Sequence, residues 1–171
     1  NATVYYIQLL IDGQLIPQNL RKAHNHIEKV PDQKDATVYM LKGKLKQKEG
    51  DLPAAFEFYQ KAASKGQVES MYELALMLLN CDFSPQSKGE AANYLKLAAD
   101  NGHLDSMNKY GYMVNSGEIP TVDACDAYKY FQKASELGHP GATHNLAMMH
   151  INRGDRLEGC KLLKKSADQG E

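Results

Sequence analysis

Long apolar runs are missing from this sequence: the longest, Leu74 to Leu79, is about a third of what a membrane-spanning helix needs. No basic stretch followed by an apolar core and a cleavage site opens the chain, so neither membrane insertion nor a signal peptide is expected. An excess of one charge is missing too. Twenty Lys and Arg stand against 21 Asp and Glu, a net charge of -1, which disfavours a binder of phosphate backbones, and no nucleic-acid partner is expected. Cysteine is scarce. Cys81, Cys125 and Cys160 are odd in number and share no register, so they do not form a disulfide framework, and a cytoplasmic setting is favoured. A secreted or lumenal setting is the alternative, since Asn1-Ala2-Thr3 matches the glycosylation acceptor pattern.

Catalytic signatures are equally sparse. The chain has no Gly-rich phosphate loop, no nucleophile elbow and no dinucleotide fingerprint, so no enzymatic activity and no cofactor are expected. His24-Asn25-His26 could offer two imidazoles, and Cys160 could approach His144 or His150. No recurrent Cys/His spacing completes a ligand set, and no metal is expected. What is present is the composition of a folded chain: 171 residues, 43% hydrophobic and 24% charged, enough for one compact domain or an array of small units.

The array is written in the sequence. Lys61-Ala62-Ala63-Ser64-Lys65-Gly66, Leu97-Ala98-Ala99-Asp100-Asn101-Gly102, Lys133-Ala134-Ser135-Glu136-Leu137-Gly138 and Lys165-Ser166-Ala167-Asp168-Gln169-Gly170 are variants of one segment. Each Gly is expected to close a helix by entering the left-handed region, and the paired small residues let a neighbouring helix approach. Bulky residues stand seven and eight positions before each Gly (Phe58-Tyr59, Tyr94-Leu95, Tyr130-Phe131, Leu162-Leu163), and small ones eleven before it (Ala55, Ala91, Ala127, Gly159). That is helical periodicity with one buried stripe.

A first helix follows each Gly. Its small residue, at Gly43, Ala75, Gly111 and Ala147, lies 20 positions after Ala23, Ala55, Ala91 and Ala127, so the junction between units is constant. Within units two spacings occur. Gly43 to Ala55 and Ala147 to Gly159 span 12 residues with Gly50-Asp51 and Gly154-Asp155 between. Ala75 to Ala91 and Gly111 to Ala127 span 16, with Pro85 and Pro120 in loops expected to project into solvent. Five helix pairs result, approximately 2–29, 36–64, 68–100, 104–136 and 140–169, in one repeat domain that reads as an excerpt of a longer chain. In the first pair Val30-Pro31 and Asp32-Gln33-Lys34-Asp35 replace the small pair and the Gly turn, which predicts a wider junction. His103 and His139, each directly after a closing Gly, are expected near carbonyl ends. Met77, Met113 and Met149, with Leu45 in register, are expected to pack between helices.

Ala, an aromatic pair, Ala-Ala and Gly, joined by a Gly- and Pro-bearing loop, resemble the Sel-one-like repeat (SLR), and the short-loop units resemble the tetratricopeptide repeat (TPR). The resemblance implies an all-α, right-handed superhelical αα solenoid of about five helix pairs. It implies a non-enzymatic adaptor that binds a protein or peptide through its concave face. A structural spacer or the regulatory repeat region of a larger signalling protein, such as a kinase fusion, is the alternative. A small-ligand-binding or β-lactamase-like SLR protein is a further one, set aside because the cysteine pair typical of that branch is missing.

In such arrays the first helices line the inner surface. The positions three before, one after and four after the small residue share a face distinct from the packing stripe. Here they read Met40, Lys44 and Gln47; Tyr72, Leu76 and Leu79; Asn108, Tyr112 and Asn115; His144, Met148 and Ile151. Seven of the twelve are large apolar or aromatic residues that the fold itself is not expected to require. Lys48 joins them from the basic run Lys42, Lys44, Lys46 and Lys48, which would favour acidic partner segments. These thirteen residues form the expected binding face.

Overall fold

The computed structural model describes residues 2–81, 85–119 and 124–169. Among them are ten helices and no strand: α1 Ala2–Asp12, α2 Leu20–Glu28, α3 Ala36–Glu49, α4 Leu52–Ala63, α5 Val68–Cys81, α6 Pro85–Asp100, α7 Leu104–Asn115, α8 Ala124–Glu136, α9 Pro140–Asn152 and α10 Arg156–Asp168. Two compact units meet in sequence within α5, one Asn1–Met77 and the other Leu78–Glu171.

In the first unit Ile7, Leu10 and Ile11 of α1 form one core with Ala23 and Ile27 of α2 and with Val38, Met40, Leu41 and Leu45 of α3. The α3 positions repeat at helical spacing, so one stripe is buried against both α1 and α2. Asp35 starts α3, its Oδ1 accepting the Thr37 N–H at 2.8 Å, and Gly50 ends it at φ +84°. Gly50 and Asp51 make a two-residue turn. The Asp51 N–H closes onto the Lys46 carbonyl at 2.9 Å while its side chain caps α4 at the Ala54 N–H. Gly154 and Asp155 repeat this between α9 and α10. The short-loop units are short because one residue terminates a helix and the next begins another.

The α2–α3 junction has no Gly turn, and seven residues separate its helices where the later junctions have four or three. Gln33 does the closing instead. Its Nε2 donates to the carbonyl of Ile27 at 2.8 Å, which also accepts the Val30 N–H at 3.1 Å, and to that of Val30 at 2.6 Å, tying the junction back onto the end of α2. A cleft of about 500 Å³ lined by Val4, Val30, Pro31 and Val38 accompanies the wider spacing.

In the second unit the small residues of the second helices are sealed: Ala91, Ala98 and Ala99 of α6 and Ala127 and Ala134 of α8 are all fully buried. Ser135 stands in an Ala slot and is buried, and its hydroxyl accepts from Thr143 Oγ1 at 2.9 Å. Gly102 and Gly138 close α6 and α8 at φ +93° and +89°. The methionines at the recurring position, Met77, Met113 and Met149, are buried, as is Leu45. Pro85 opens α6 rather than standing within a loop. Residues 82–84 and 120–123, where the remainder of the long-loop insertions and Pro120 fall, lie outside the described residues.

The N–H groups of His103 and His139 meet the carbonyls of Ala98 at 3.0 Å and Ala134 at 2.9 Å, near the carbonyl ends as expected, but their side chains serve the next helix. They cap the amino ends of α7 and α9: His103 Nδ1 accepts the Ser106 N–H at 3.2 Å and His139 Nδ1 accepts the Ala142 N–H at 3.0 Å. The junction is so short that the residue after the closing Gly already begins the next helix, and an unprotonated ring nitrogen serves where an Asp or Ser would.

The Thr37 N–H that Asp35 accepts holds the Asp35 carboxyl below its ordinary value of 3.8. A carboxyl lowered in the folded state stabilises above its unfolded value and loses that contribution as pH falls through and below it. Asp35→Asn keeps the capping oxygen but cannot titrate. Its stability relative to the parent is expected to rise between about pH 5 and pH 2, read by urea denaturation at each pH. Parallel curves would show that this cap does not contribute to acid sensitivity.

Candidate functional site

The first helices carry the expected face, and each unit presents its own part of it. In the first unit Met40 is 5% exposed and belongs to the core, with Gln67 Nε2 3.4 Å from its sulfur, so it is not offered to a partner. It sits in the core that α3 shares with α1 and α2, with the Gln67 side chain from the turn just before α5 against it. Lys44 is half-buried, its Nζ 3.5 Å from Glu69 Oε1. Gln47 bridges two helices, accepting from Tyr59 Oη at 2.7 Å and donating to Glu73 Oε2 at 3.4 Å. Lys48 is exposed, and Tyr72 and Leu76 are half-buried.

Asp12, Lys44, Gln47, Lys48 and Glu73 line an open polar cleft of about 430 Å³. Burial pushes the Tyr59 phenol well above its ordinary range, and the nearby carboxylates of Glu73 and Glu69 add to the shift, so Tyr59 remains a hydrogen-bond donor to Gln47 at any physiological pH. The basic run on α3 is largely compensated: Lys42 reaches Glu28 at 3.4 Å and Lys46 reaches Glu49 at 2.8 Å. Of the four lysines only Lys48 makes no ion pair among the described residues, so this helix presents less free positive charge than its sequence suggests.

In the second unit Tyr112 on α7 is 52% exposed and Met148 on α9 is 39% exposed, although both are large and apolar. They hold the same register position, one residue after Gly111 and Ala147. Asn115 and His144 are exposed beside them in sequence register. Asn108 is half-buried and accepts from Asn145 Nδ2 at 2.8 Å, tying α7 to α9, and His139 Nε2 meets Asp105 Oδ1 at 3.0 Å across the same pair of helices. Ile151 is taken up in packing: Gly159 lies directly against its side chain, in a space where a Cβ could not fit.

Leu79 and Tyr112 are brought together. They share a cleft of about 220 Å³ with Asn80, Lys88, Lys109, Met113 and Glu118. All five lie outside the register positions used to choose the face, three of them charged (Lys88, Lys109 and Glu118), and Asp12 and Glu73 are the corresponding additions in the first unit. Lys109 stands three residues before Tyr112 on α7 itself, whereas Lys88 comes from α6 and Glu118 from the turn after α7, where no spacing rule on a single helix would find them.

Among the described residues no group of three or more His, Cys, Asp and Glu side chains could hold a metal ion. His26 packs edge-on against Tyr6, with ring centroids 5.2 Å apart. His150 lies 3.4 Å from both Asp155 Oδ2 and Tyr128 Oη, with Arg153 over the Tyr128 ring. That cluster joins α8 to the α9–α10 turn. Cys125 and Cys160 are exposed. No helix of the described residues is long and apolar enough to cross a membrane.

The Sel1 repeat model matches residues 8–29, 36–67, 68–103, 104–139 and 140–171. Each of the last four matches begins at or next to the first residue of a first helix. Among solved structures, a Sel1 repeat protein from Oxalobacter formigenes superposes with a TM-score of 0.82 at 16% identity, over 99% of this chain and 72% of that one. MamA superposes at 0.59 with 20% identity, covering 88% of each chain. YrrB, a TPR protein with an unusual peptide-binding site, superposes at 0.58 with 20% identity, over 98% of this chain and 84% of its own. At these identities the likeness is one of fold. No curated protein sequence matches the chain.

Proposed function

The chain belongs to the Sel1 repeat family, and from that premise we propose that it is a non-enzymatic interaction scaffold holding a peptide segment against the first helices of its repeats. The observation that carries the reading is the exposure of Tyr112 and Met148 at one register position on α7 and α9. Neither side chain is needed for the core, whose neighbouring positions Gly111, Met113, Ala147 and Met149 are all buried. Large apolar residues kept in water at matching sites of successive repeats suit anchor contacts with a partner, since a few such residues dominate interfaces. Asn115 and His144, exposed on the same helices, supply donors and acceptors suited to an extended backbone. YrrB, which shares the fold, is a peptide-binding protein by name, and this agrees with the reading. The scarcity of cysteine, three residues sharing no register, suits a reducing, cytoplasmic setting.

The test is selection of binders from a random ten-residue peptide display library against the folded chain, followed by titration of the selected peptides. Tyr112→Ser combined with Met148→Ser is expected to weaken their binding ten-fold or more, about 1.4 kcal/mol, with an unchanged far-ultraviolet circular dichroism spectrum. Failure to select any peptide, or undiminished affinity in the folded double variant, would overturn this reading.

A further inference from the structure

The cleft shared by Leu79 and Tyr112 has a chemistry of its own, distinct from the general face of the first helices. Its apolar wall comes from Leu79, the Tyr112 ring and Met113, and its rim carries Lys88, Lys109 and Glu118. The charges on that rim are not equivalent. Glu118 is committed within the fold: Lys88 Nζ lies 3.2 Å from its Oε2, and Ser116 Oγ donates to its Oε1 at 3.2 Å. Asp105, one helical turn before Lys109, has its carboxylate on His139 Nε2. Lys109 is exposed and makes no ion pair among the described residues. The cleft therefore offers an apolar recess beside one uncompensated positive charge.

We propose that this cleft is a specificity pocket that takes an aliphatic side chain of a peptide segment and pairs an acidic residue flanking it with Lys109. The inference rests on the peptide-binding reading above and names the sequence class that the second unit prefers. Charge complementarity selects the flank: Glu118 is already neutralised, so a basic flank finds no free carboxylate there, whereas an acidic one meets an ammonium that is not shared. The recess selects the anchor. About 220 Å³ bounded by Leu79, Met113 and the Tyr112 ring suits one aliphatic side chain, which gains by leaving water.

The experiment uses the folded 171-residue chain and two synthetic ten-residue peptide pools, one with Leu followed by Asp-Glu at fixed central positions and one with Leu followed by Lys-Lys, the remainder randomised. The acidic pool is expected to bind at least ten-fold more tightly, with an affinity that falls as salt rises. Lys109→Glu is expected to invert the preference between pools, and Lys109→Gln to abolish it without favouring either. Tyr112→Ser is expected to weaken the acidic pool ten-fold. Circular dichroism and thermal melting establish that each variant is folded. Binding of both pools with equal strength, or a preference untouched by Lys109→Glu, would overturn the pocket while leaving the scaffold reading standing. Binding of neither pool, while peptides from the random library still bind, would likewise defeat the pocket alone.

Discussion

Ala99→Arg is expected to destabilise the second unit by roughly 3–5 kcal/mol, enough to leave it largely unfolded at moderate temperature. Ala99 is fully buried at the end of α6, where its carbonyl accepts the Gly102 N–H at 2.9 Å as the chain turns toward α7. A guanidinium placed there meets no carboxylate and no room, so the cost combines overpacking with an unpaired buried charge. Leu97→Arg is the informative control. Leu97 lies two residues earlier on the same helix but is 47% exposed, and the substitution is expected to change stability by less than about 0.5 kcal/mol. By composition alone the leucine would be the more damaging of the two to replace, and only the register makes it the tolerant site. Thermal unfolding followed at 222 nm decides the matter. Equal melting temperatures for Ala99→Arg and the parent would show that the paired small residues are not the contact between helices.

That register was legible because it is repeated. Four copies of small pair, two polar residues and Gly locate the helix ends, and the left-handed φ at Gly66, Gly102 and Gly138 follows from the same chemistry. The site was less legible, for reasons that differ from residue to residue. Met40 occupies the same register position as Tyr72, Asn108 and His144, yet it is buried in the core, and no periodicity within α3 can announce the neighbours that enclose it. The lysines of α3 read as a basic patch because a sequence shows the charges of one helix together, while Glu28 and Glu69, which compensate two of them, arrive from α2 and α5. Lys109 stands alone in sequence, and only the pairing of Glu118 with Lys88 and of Asp105 with His139, both between elements, leaves it without a counterion among the described residues. His103 and His139 serve two helices at once, their N–H groups on the carbonyls that end α6 and α8 and their rings capping α7 and α9, because three-residue junctions leave no room between one helix end and the next beginning.

The small residue of each first helix holds information that emerges only when it is paired with the residue it faces. A Cβ on Gly43 would come within 2.7 Å of the Tyr59 ring, and one on Gly111 within 2.8 Å of the Phe131 ring. Where the first helix carries Ala instead, at Ala75 and Ala147, the residue in the register of Tyr59 and Phe131 is Leu95 or Leu163. Gly goes with an aromatic ring and Ala with leucine, so the combined volume is what the repeat holds constant. Gly111→Ala is therefore expected to destabilise by about 1–3 kcal/mol through overpacking, despite the higher helix propensity of Ala. Phe131→Leu alone destabilises too, by leaving a cavity beside Gly111. The double variant recreates the combination already used elsewhere in the chain. Its loss should be smaller than the sum of the two single losses, with a coupling of roughly 1 kcal/mol or more in a urea-denaturation double-mutant cycle. Strictly additive losses would mean that the ring moves aside for a methyl group at no cost, and that the alternation of Gly with aromatic and Ala with leucine has no packing origin.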